Sequence, residues 1–360
     1  MDTTLQQFAD RIGQASADGT PLRIRGGGSK DWYGQTVQGA LLDAGAYRGI
    51  TDYEPTELVI SARCGTPLAE IEAHLARHGQ MLAFEPPHFG TGATIGGTVA
   101  AGLSGPRRQA AGAVRDFVLG AVLLDGRGEL LHFGGKVMKN VAGYDVSRLL
   151  AGSLGVFGLI AEVSLKVLPR PIAECTVRME AEQGDALRRL NEWGGQPLPL
   201  SASCWHDGVL TVRLSGARSA VDAARRRIGG DVLQGDDADA FWRALREHEG
   251  RFFTAARQAA GGLWRLSLPT VALPLALPQP AQQLIEWGGA QRWLVTDADA
   301  ATVRAAAGAA GGHATLFFGG ARDEGVFHPL APAVHAIHRQ LKNVFDPAGV
   351  FNRGRMYKDF

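Results

Sequence analysis

Cysteine is scarce in this sequence of 360 residues: Cys64, Cys175 and Cys204 are odd in number, widely separated and never in a CxxC pair. That argues against a disulfide framework and an iron–sulfur ligand run, and it fits a reducing, cytoplasmic setting. No run approaches the roughly 18 uninterrupted apolar residues of a membrane span. The N-terminal stretch MDTTLQQFADRIGQ carries early acidic residues and no apolar segment of signal-peptide length. Neither charge sign dominates: 37 Lys and Arg face 36 Asp and Glu, a net +1. With no basic stripe interleaved by aromatics, nothing points to a nucleic-acid partner. Two nucleotide-binding signatures are also missing. There is no GxGxxG, and Gly135-Lys136 is followed by Val137, so no Walker A string forms. A Rossmann NAD domain and a P-loop NTPase are both disfavoured.

What is present is an ordinary globular composition, 45% hydrophobic and 20% charged, on a chain long enough for two or three domains. The first 170 or so residues alternate short β-like runs with Gly-rich turns. Leu22–Arg25 and Leu58–Arg63 read as strands. Thr66 is a candidate cap for a helix that starts at Pro67, buries Leu68, Ile71 and Leu75, and stops at Gly79. Further strands are expected at Val118–Leu124, Leu130–Phe133 and Ile160–Val167, with Asp125-Gly126 as a hairpin signal. Pro169-Arg170-Pro171 marks a boundary. Beyond it the sequence repeats: a shift of 82 lays Trp205 on Trp287, Val221 on Val303 and Gly229-Gly230 on Gly311-Gly312 without a gap. Each copy reads as a hairpin, a helix, a Gly-Gly stop and a strand, which implies a pseudo-symmetric, ferredoxin-like α+β domain. A helix over Ala238–Glu249 and a Pro-rich loop, Leu268–Pro280, lie between the copies. A last helix near Ala331–Phe345 leads into the tail FDPAGVFNRGRM.

Three glycine-rich segments carry the chemistry. In LRIRGGGSK, Gly26, Gly27 and Gly28 follow a strand and can bring bare amides together as an anion-binding concavity, with Ser29 as a hydroxyl donor. The same residues also read as a plain flexible turn. ATIGGTVAAG, Ala93–Gly102, offers the hydroxyls of Thr94 and Thr98 beside Gly96 and Gly97, either for a ligand lying along bare backbone or for tight packing. GYDVSRLLAGSLGVFGLIAEVSL, Gly143–Leu165, has Asp145 as a helix cap and glycines at 152, 155 and 158 before a strand. It reads either as a nucleotide-binding turn or as a buried structural one.

Together, in this order, the three segments resemble the FAD-binding domain of the vanillyl-alcohol-oxidase/PCMH flavoprotein superfamily. Within it, EPPHFGTGATIGGTVAAGLSGPRRQAAGAVRDFVLG, GGKVMKNVAGYD and the tail FDPAGVFNRGRM resemble the family of FAD-binding E subunits of glycolate oxidase (glycolate dehydrogenase). The resemblance implies an α+β flavoprotein: a PCMH-type domain of two α/β subdomains clasping FAD over 1–171, an α+β cap domain over 172–330, and a helix and tail, 331–360, returning to the first. It implies that Gly26, Gly27, Gly28, Ser29 and Lys30 hold the pyrophosphate. Thr94, Ile95, Gly96, Gly97, Thr98 and Gly102 line the cofactor, and Pro86 lies near the flavin. Gly158 and Ile160 meet the adenosine half, and Asn352 closes over the ring. It implies a cytoplasmic complex oxidising glycolate to glyoxylate, in which a second FAD-containing 2-hydroxy-acid dehydrogenase subunit and an iron–sulfur subunit accompany this chain. Any contact with the inner membrane would run through that complex.

The sequence departs from the wider family in two places. Covalently flavinylated members often place His beside the Gly-rich loop; here Ser29 and Lys30 stand there, so the FAD is expected to be non-covalent. Catalytic 2-hydroxy-acid relatives carry a His/Glu metal cluster in the second domain; here GGHATLF keeps His313 alone, and no metal is expected. The catalytic candidates are therefore His313 as a base and Arg107 or Arg108 as a carboxylate or reduced-flavin partner. Each also reads as a structural or solvated residue. Two functions follow: a redox-active FAD subunit, or an FAD-binding scaffold paralogue that stabilises the catalytic flavin subunit. A complete, independent oxidase is disfavoured by the lone His313.

Overall fold

The computed structural model describes residues 2–136, 144–277 and 281–360. Part of the segment GGKVMKNVAGYD, Gly143 and the end of the Pro-rich loop lie outside the described residues. The chain divides into two compact units: Met1–Ser104 with Ala113–Pro169 and Pro329–Phe360, and Gly105–Gly112 with Arg170–His328.

The first unit opens with a helix, Thr3–Asp18. The Asp2 carboxylate accepts from Thr4 N at 2.9 Å to start it, and Gly19, in the left-handed region, ends it. Leu5, Phe8, Ile12 and Ala15 recur at helical spacing and are buried against Leu22, Leu42, Val350 and Phe351. Burying one such side chain fully contributes about 1.5–3 kcal/mol. Strand Leu22–Arg25 pairs in parallel with Ala40–Asp43. The C-terminal tail returns along the strand: Leu22 N donates to Val350 O at 2.8 Å, and Asn352 N to Leu22 O at 3.0 Å.

A five-stranded antiparallel sheet completes this unit, in the order Ile50–Glu54, Val59–Arg63, Leu159–Lys166, Val118–Leu124, Leu130–Gly134. The expected hairpin closes at Asp125, whose carboxylate accepts from Arg127 N at 2.8 Å and Glu129 N at 2.9 Å. Asp145 caps the short helix Val146–Leu149 through Arg148 N. Thr66 does not cap its helix. The helix runs Leu68–Ala76 after Pro67, and the Thr66 hydroxyl donates to Arg63 O at 2.7 Å instead.

The second unit is one eight-stranded antiparallel sheet built as two four-stranded halves. The first half runs Asp231–Leu233, Ala173–Glu180, Val209–Gly216, Leu200–His206; the second runs Gln282–Glu286, Gln291–Val295, Leu263–Ser267, His313–Phe318. Each half has the strand order 4-1-3-2 of a ferredoxin-like unit, and they join edge to edge with Trp205 opposite Ile285. The 82-residue register holds through the helices Arg218–Ile228 and Ala300–Ala309 and the Gly-Gly stops after them. It breaks at the tryptophans. Trp205 lies within its strand, whereas Trp287 has turned out of the ladder into a left-handed conformation, φ 52°. The helix Gln183–Gly194 of the first half has no counterpart in residues 268–277 of the second.

Gly105–Gly112 belongs to this second unit, although the boundary at Pro169-Arg170-Pro171 had put it in the first. Local chemistry accounts for the difference. Arg107, 7% exposed, pairs with Glu174 at 2.5 Å, and the Arg108 guanidinium lies 4.5 Å from the centre of the Trp287 ring. Trp287 Nε1 donates to Gly105 O at 3.1 Å.

Candidate cofactor groove

Within the first unit, four segments distant in sequence line one groove: Ile24–Asp31, Thr94–Ala101, Leu154–Ile160 and the tail at Asn352 and Arg355, together with Ala44 and Cys64. Of the sequence-derived cofactor residues, Gly26, Gly27, Gly28, Ser29, Lys30, Thr94, Gly96, Gly97, Gly158, Ile160 and Asn352 all reach it. Pro86, Ile95, Thr98 and Gly102 are not among the lining residues. Ile95 and Thr98 are instead buried in the supporting helix Ile95–Ala101. Gly102 ends that helix with φ 68°, and a Cβ there would meet Gly152 Cα at 2.6 Å.

The glycines are needed for close approach between segments. A Cβ on Gly26 would overlap the Thr94 hydroxyl, and one on Gly27 the Gly92 carbonyl. A Cβ on Gly96 would sit 2.5 Å from Cys64 Cβ. Gly97 differs: its absent Cβ would meet only Thr94 Oγ1, at 3.1 Å, so bare backbone faces the groove there. Thr94 caps the helix by accepting from Gly97 N at 3.3 Å.

Electrostatics follow the same geometry. Arg25 pairs with Asp31 at 2.6 Å. Lys30, 8% exposed, donates to His88 O at 3.2 Å. Arg355, 9% exposed, donates through Nη2 to the carbonyls of Lys30 and Tyr33 at 3.1 and 3.2 Å. Burial pushes its guanidinium below the ordinary arginine range. Burial likewise pushes the Cys64 thiol up to about 12, so the one thiol in the groove stays protonated and a poor nucleophile. Asn352, 1% exposed, is held at both ends of its amide: Nδ2 donates to Leu154 O at 2.6 Å and Oδ1 accepts from Ile24 N at 2.9 Å. It ties the tail to the strand that feeds the glycine loop.

The catalytic candidates belong to the second unit. Arg107 and Arg108 are engaged by Glu174 and Trp287 as described. His313 is exposed as a whole residue at the start of the strand His313–Phe318, its ring 6.2 Å from that of His328; partial desolvation of the ring, with the nearby charge of Arg265, lowers its pKa. Among the described residues no group of three or more His, Cys, Asp or Glu side chains converges as a metal site. Sequence reasoning missed Arg25, Asp31, Cys64, Leu154 and Arg355 as groove residues. NRGRM, following the Asn already singled out, was the available signal for Arg355.

A family model described as an FAD binding domain matches residues 3–134. The chain is 49% identical over 354 residues to the glycolate oxidase subunit GlcE of Escherichia coli (strain K12), spanning 98% of this chain and 97% of that protein. The chain belongs to the GlcE family. It is an FAD-binding oxidoreductase-type flavoprotein, and FAD is its cofactor. A partial likeness, 28% over 212 residues, connects it to the glycolate oxidase subunit GlcD of Bacillus subtilis (strain 168), covering 52% of this chain and 44% of that one. Among solved structures, an alkyldihydroxyacetonephosphate synthase superposes with a TM-score of 0.65 at 15% identity, over 96% of this chain and 75% of that one. That likeness concerns the fold alone. No helix among the described residues is long and apolar enough to cross a membrane.

The groove fits the cofactor on its own features. It has glycine-bare walls, an open approach at Gly97, and at Arg355, one of its lining residues, a buried Nε without a hydrogen-bond partner among the described residues.

Proposed function

We propose that this chain is the FAD-binding redox subunit of a multi-subunit glycolate (2-hydroxy-acid) dehydrogenase that oxidises glycolate to glyoxylate. A second FAD-containing subunit and an iron–sulfur subunit are its partners. The observation that carries this reading is the near full-length identity to a glycolate oxidase subunit, on a chain whose glycine segments meet in one groove. Gly26–Ser29 and Gly97 present backbone to the cofactor, Lys30 and Arg355 place positive charge beside it, and Asn352 holds the tail against the groove. Bound there, FAD supplies two-electron acceptance from a substrate and one-electron release to a carrier.

Oxidising a 2-hydroxy acid requires an anchored carboxylate and a base for the hydroxyl proton. Arg107 is already spent on Glu174, Arg108 is stacked on Trp287, and His313 stands exposed with Arg265 and His328 as neighbours that disfavour its protonation. A partner subunit is therefore assigned the substrate chemistry, and this chain's flavin relays or stores electrons. The test is anaerobic mixing of the FAD-loaded chain with excess glycolate, with and without its partner subunits. Flavin bleaching only in their presence is expected. Bleaching of the isolated chain within turnover time refutes the division of labour. A flavin that stays oxidised in the working complex identifies the chain as a scaffold.

A further inference from the structure

Arg355 combines burial, position and an unspent donor. It is 9% exposed, lines the groove, and has no carboxylate in ion-pair contact among the described residues; the charge of Asp31, which is paired with Arg25, offsets only part of its burial. The hydrogen-bond partners of Arg355 among the described residues are two neutral carbonyls, of Lys30 and Tyr33, which orient the guanidinium just beyond the glycine loop. Its Nε is buried with no hydrogen-bond partner among the described residues. Arg25, at the other end of the same loop, differs: it is half exposed and already compensated by Asp31. A buried cation with an orphaned donor is costly unless an anion completes it. The tail goes to some length to put it there. Asn352 stitches to Ile24 and Leu154, and Asp346 accepts from Val350 N and Phe351 N, holding the chain just before Arg355.

We propose that Arg355, carried into the groove by the C-terminal tail, is the direct cationic partner of the FAD diphosphate. This rests on the reading above that the diphosphate lies against Gly26–Ser29. A planar guanidinium offers a fork of charged donors matched to phosphoryl oxygens, which a lysine ammonium or a bare amide does not. The tail and the cofactor would then secure one another, since the anion relieves the burial of Arg355 while Arg355 anchors the anion.

The test titrates apo-protein with FAD by flavin fluorescence, and with ADP and adenosine as competitors, at low and high salt. For Arg355→Gln the expected result is FAD and ADP binding weakened about 10–100-fold, as for loss of a charged hydrogen bond, with adenosine unchanged. Salt should weaken FAD binding less in this variant than in the parent chain. Arg355→Lys, which keeps the charge, should retain the salt dependence. It also decides the matter if the Gln variant misfolds. If both variants weaken FAD and adenosine alike, with unaltered salt dependence, Arg355 merely shapes the loop and the proposal is overturned. Gly97→Val separates the two levels. Weakened FAD binding in that variant but not in Arg355→Gln leaves the groove standing and removes Arg355. No effect in either removes the groove reading and the proposal with it.

Discussion

Replacing Asp346 with Ala should destabilise the first unit by about 3–5 kcal/mol, the usual cost of stranding one partner of a buried ion pair. Asp346 is 1% exposed and Lys342 5%. Lys342 Nζ donates to Asp346 Oδ2 at 2.7 Å, Val156 O at 2.7 Å and Phe351 O at 2.9 Å. The carboxylate also accepts from Val350 N at 2.9 Å and Phe351 N at 2.8 Å. One pair of charges therefore joins the last helix, Pro332–Phe345, to the turn before Leu159–Lys166 and to the tail that pairs with Leu22. In the Ala variant the ammonium keeps two carbonyls but loses its counter-charge, and two main-chain N–H groups lose their acceptor. Urea unfolding of the FAD-free chain, followed through the first transition, measures the loss. Asp346→Asn keeps one acceptor and should fall between the parent and the Ala variant. Because the tail carries Asn352 and Arg355, FAD affinity should drop in parallel. A loss under about 1 kcal/mol in Asp346→Ala would refute the claim that this pair fastens the tail.

Three further outcomes are expected. Acid precipitation of the holoprotein should leave FAD in the supernatant, since the glycine loop has Ser29 and Lys30 in place of His and the Cys64 thiol is held protonated; flavin in the pellet contradicts this. Valine at Gly97 should weaken FAD binding at least tenfold with circular dichroism unchanged, because the new side chain meets only Thr94 Oγ1 before entering the groove. Gly27→Val is a poorer probe, since it strikes the Gly92 main chain. His248, stacked on Phe253 at 4.0 Å and pushed by burial down to about 3, makes the second unit acid-sensitive. The unfolded chain takes up a proton near pH 6.5 that the folded unit cannot hold. The stability contribution is thus whole above that pH and is lost as pH falls toward 3, reaching about 2 kcal/mol by pH 5. His248→Asn, which tolerates the left-handed φ of 55°, should lower stability at neutral pH and flatten this slope in urea unfolding against pH.

The glycine segments were legible because close backbone approach has a local signature: runs such as Gly26–Gly28 and Gly96–Gly97 admit few other readings once they fall in order along a chain. The repeat was legible for a similar reason, since Gly229-Gly230 and Gly311-Gly312 stop equivalent helices. Long-range pairing left no such mark. Arg107 looked available because its partner, Glu174, lies 67 residues away across the Pro169-Arg170-Pro171 boundary. Cys64 and Gly96 come together only when the strand Val59–Arg63 and the helix Ile95–Ala101 pack, and nothing near Cys64 in sequence announces it. Asn352 was read as closing over the cofactor ring; it lines the groove with its amide committed to Ile24 and Leu154. Arg355, three residues on, holds the unspent donor.

The most direct measurement is calorimetric titration of the apo-chain with FAD, alongside the Gly97→Val variant. The expected result is one FAD per chain bound reversibly, with affinity lost in the variant at unchanged thermal stability of the apo-form. A chain that takes up no FAD, or a variant that binds it as tightly as the parent, would show that the cofactor does not lie in the groove of Gly26–Ser29, Gly97 and Arg355.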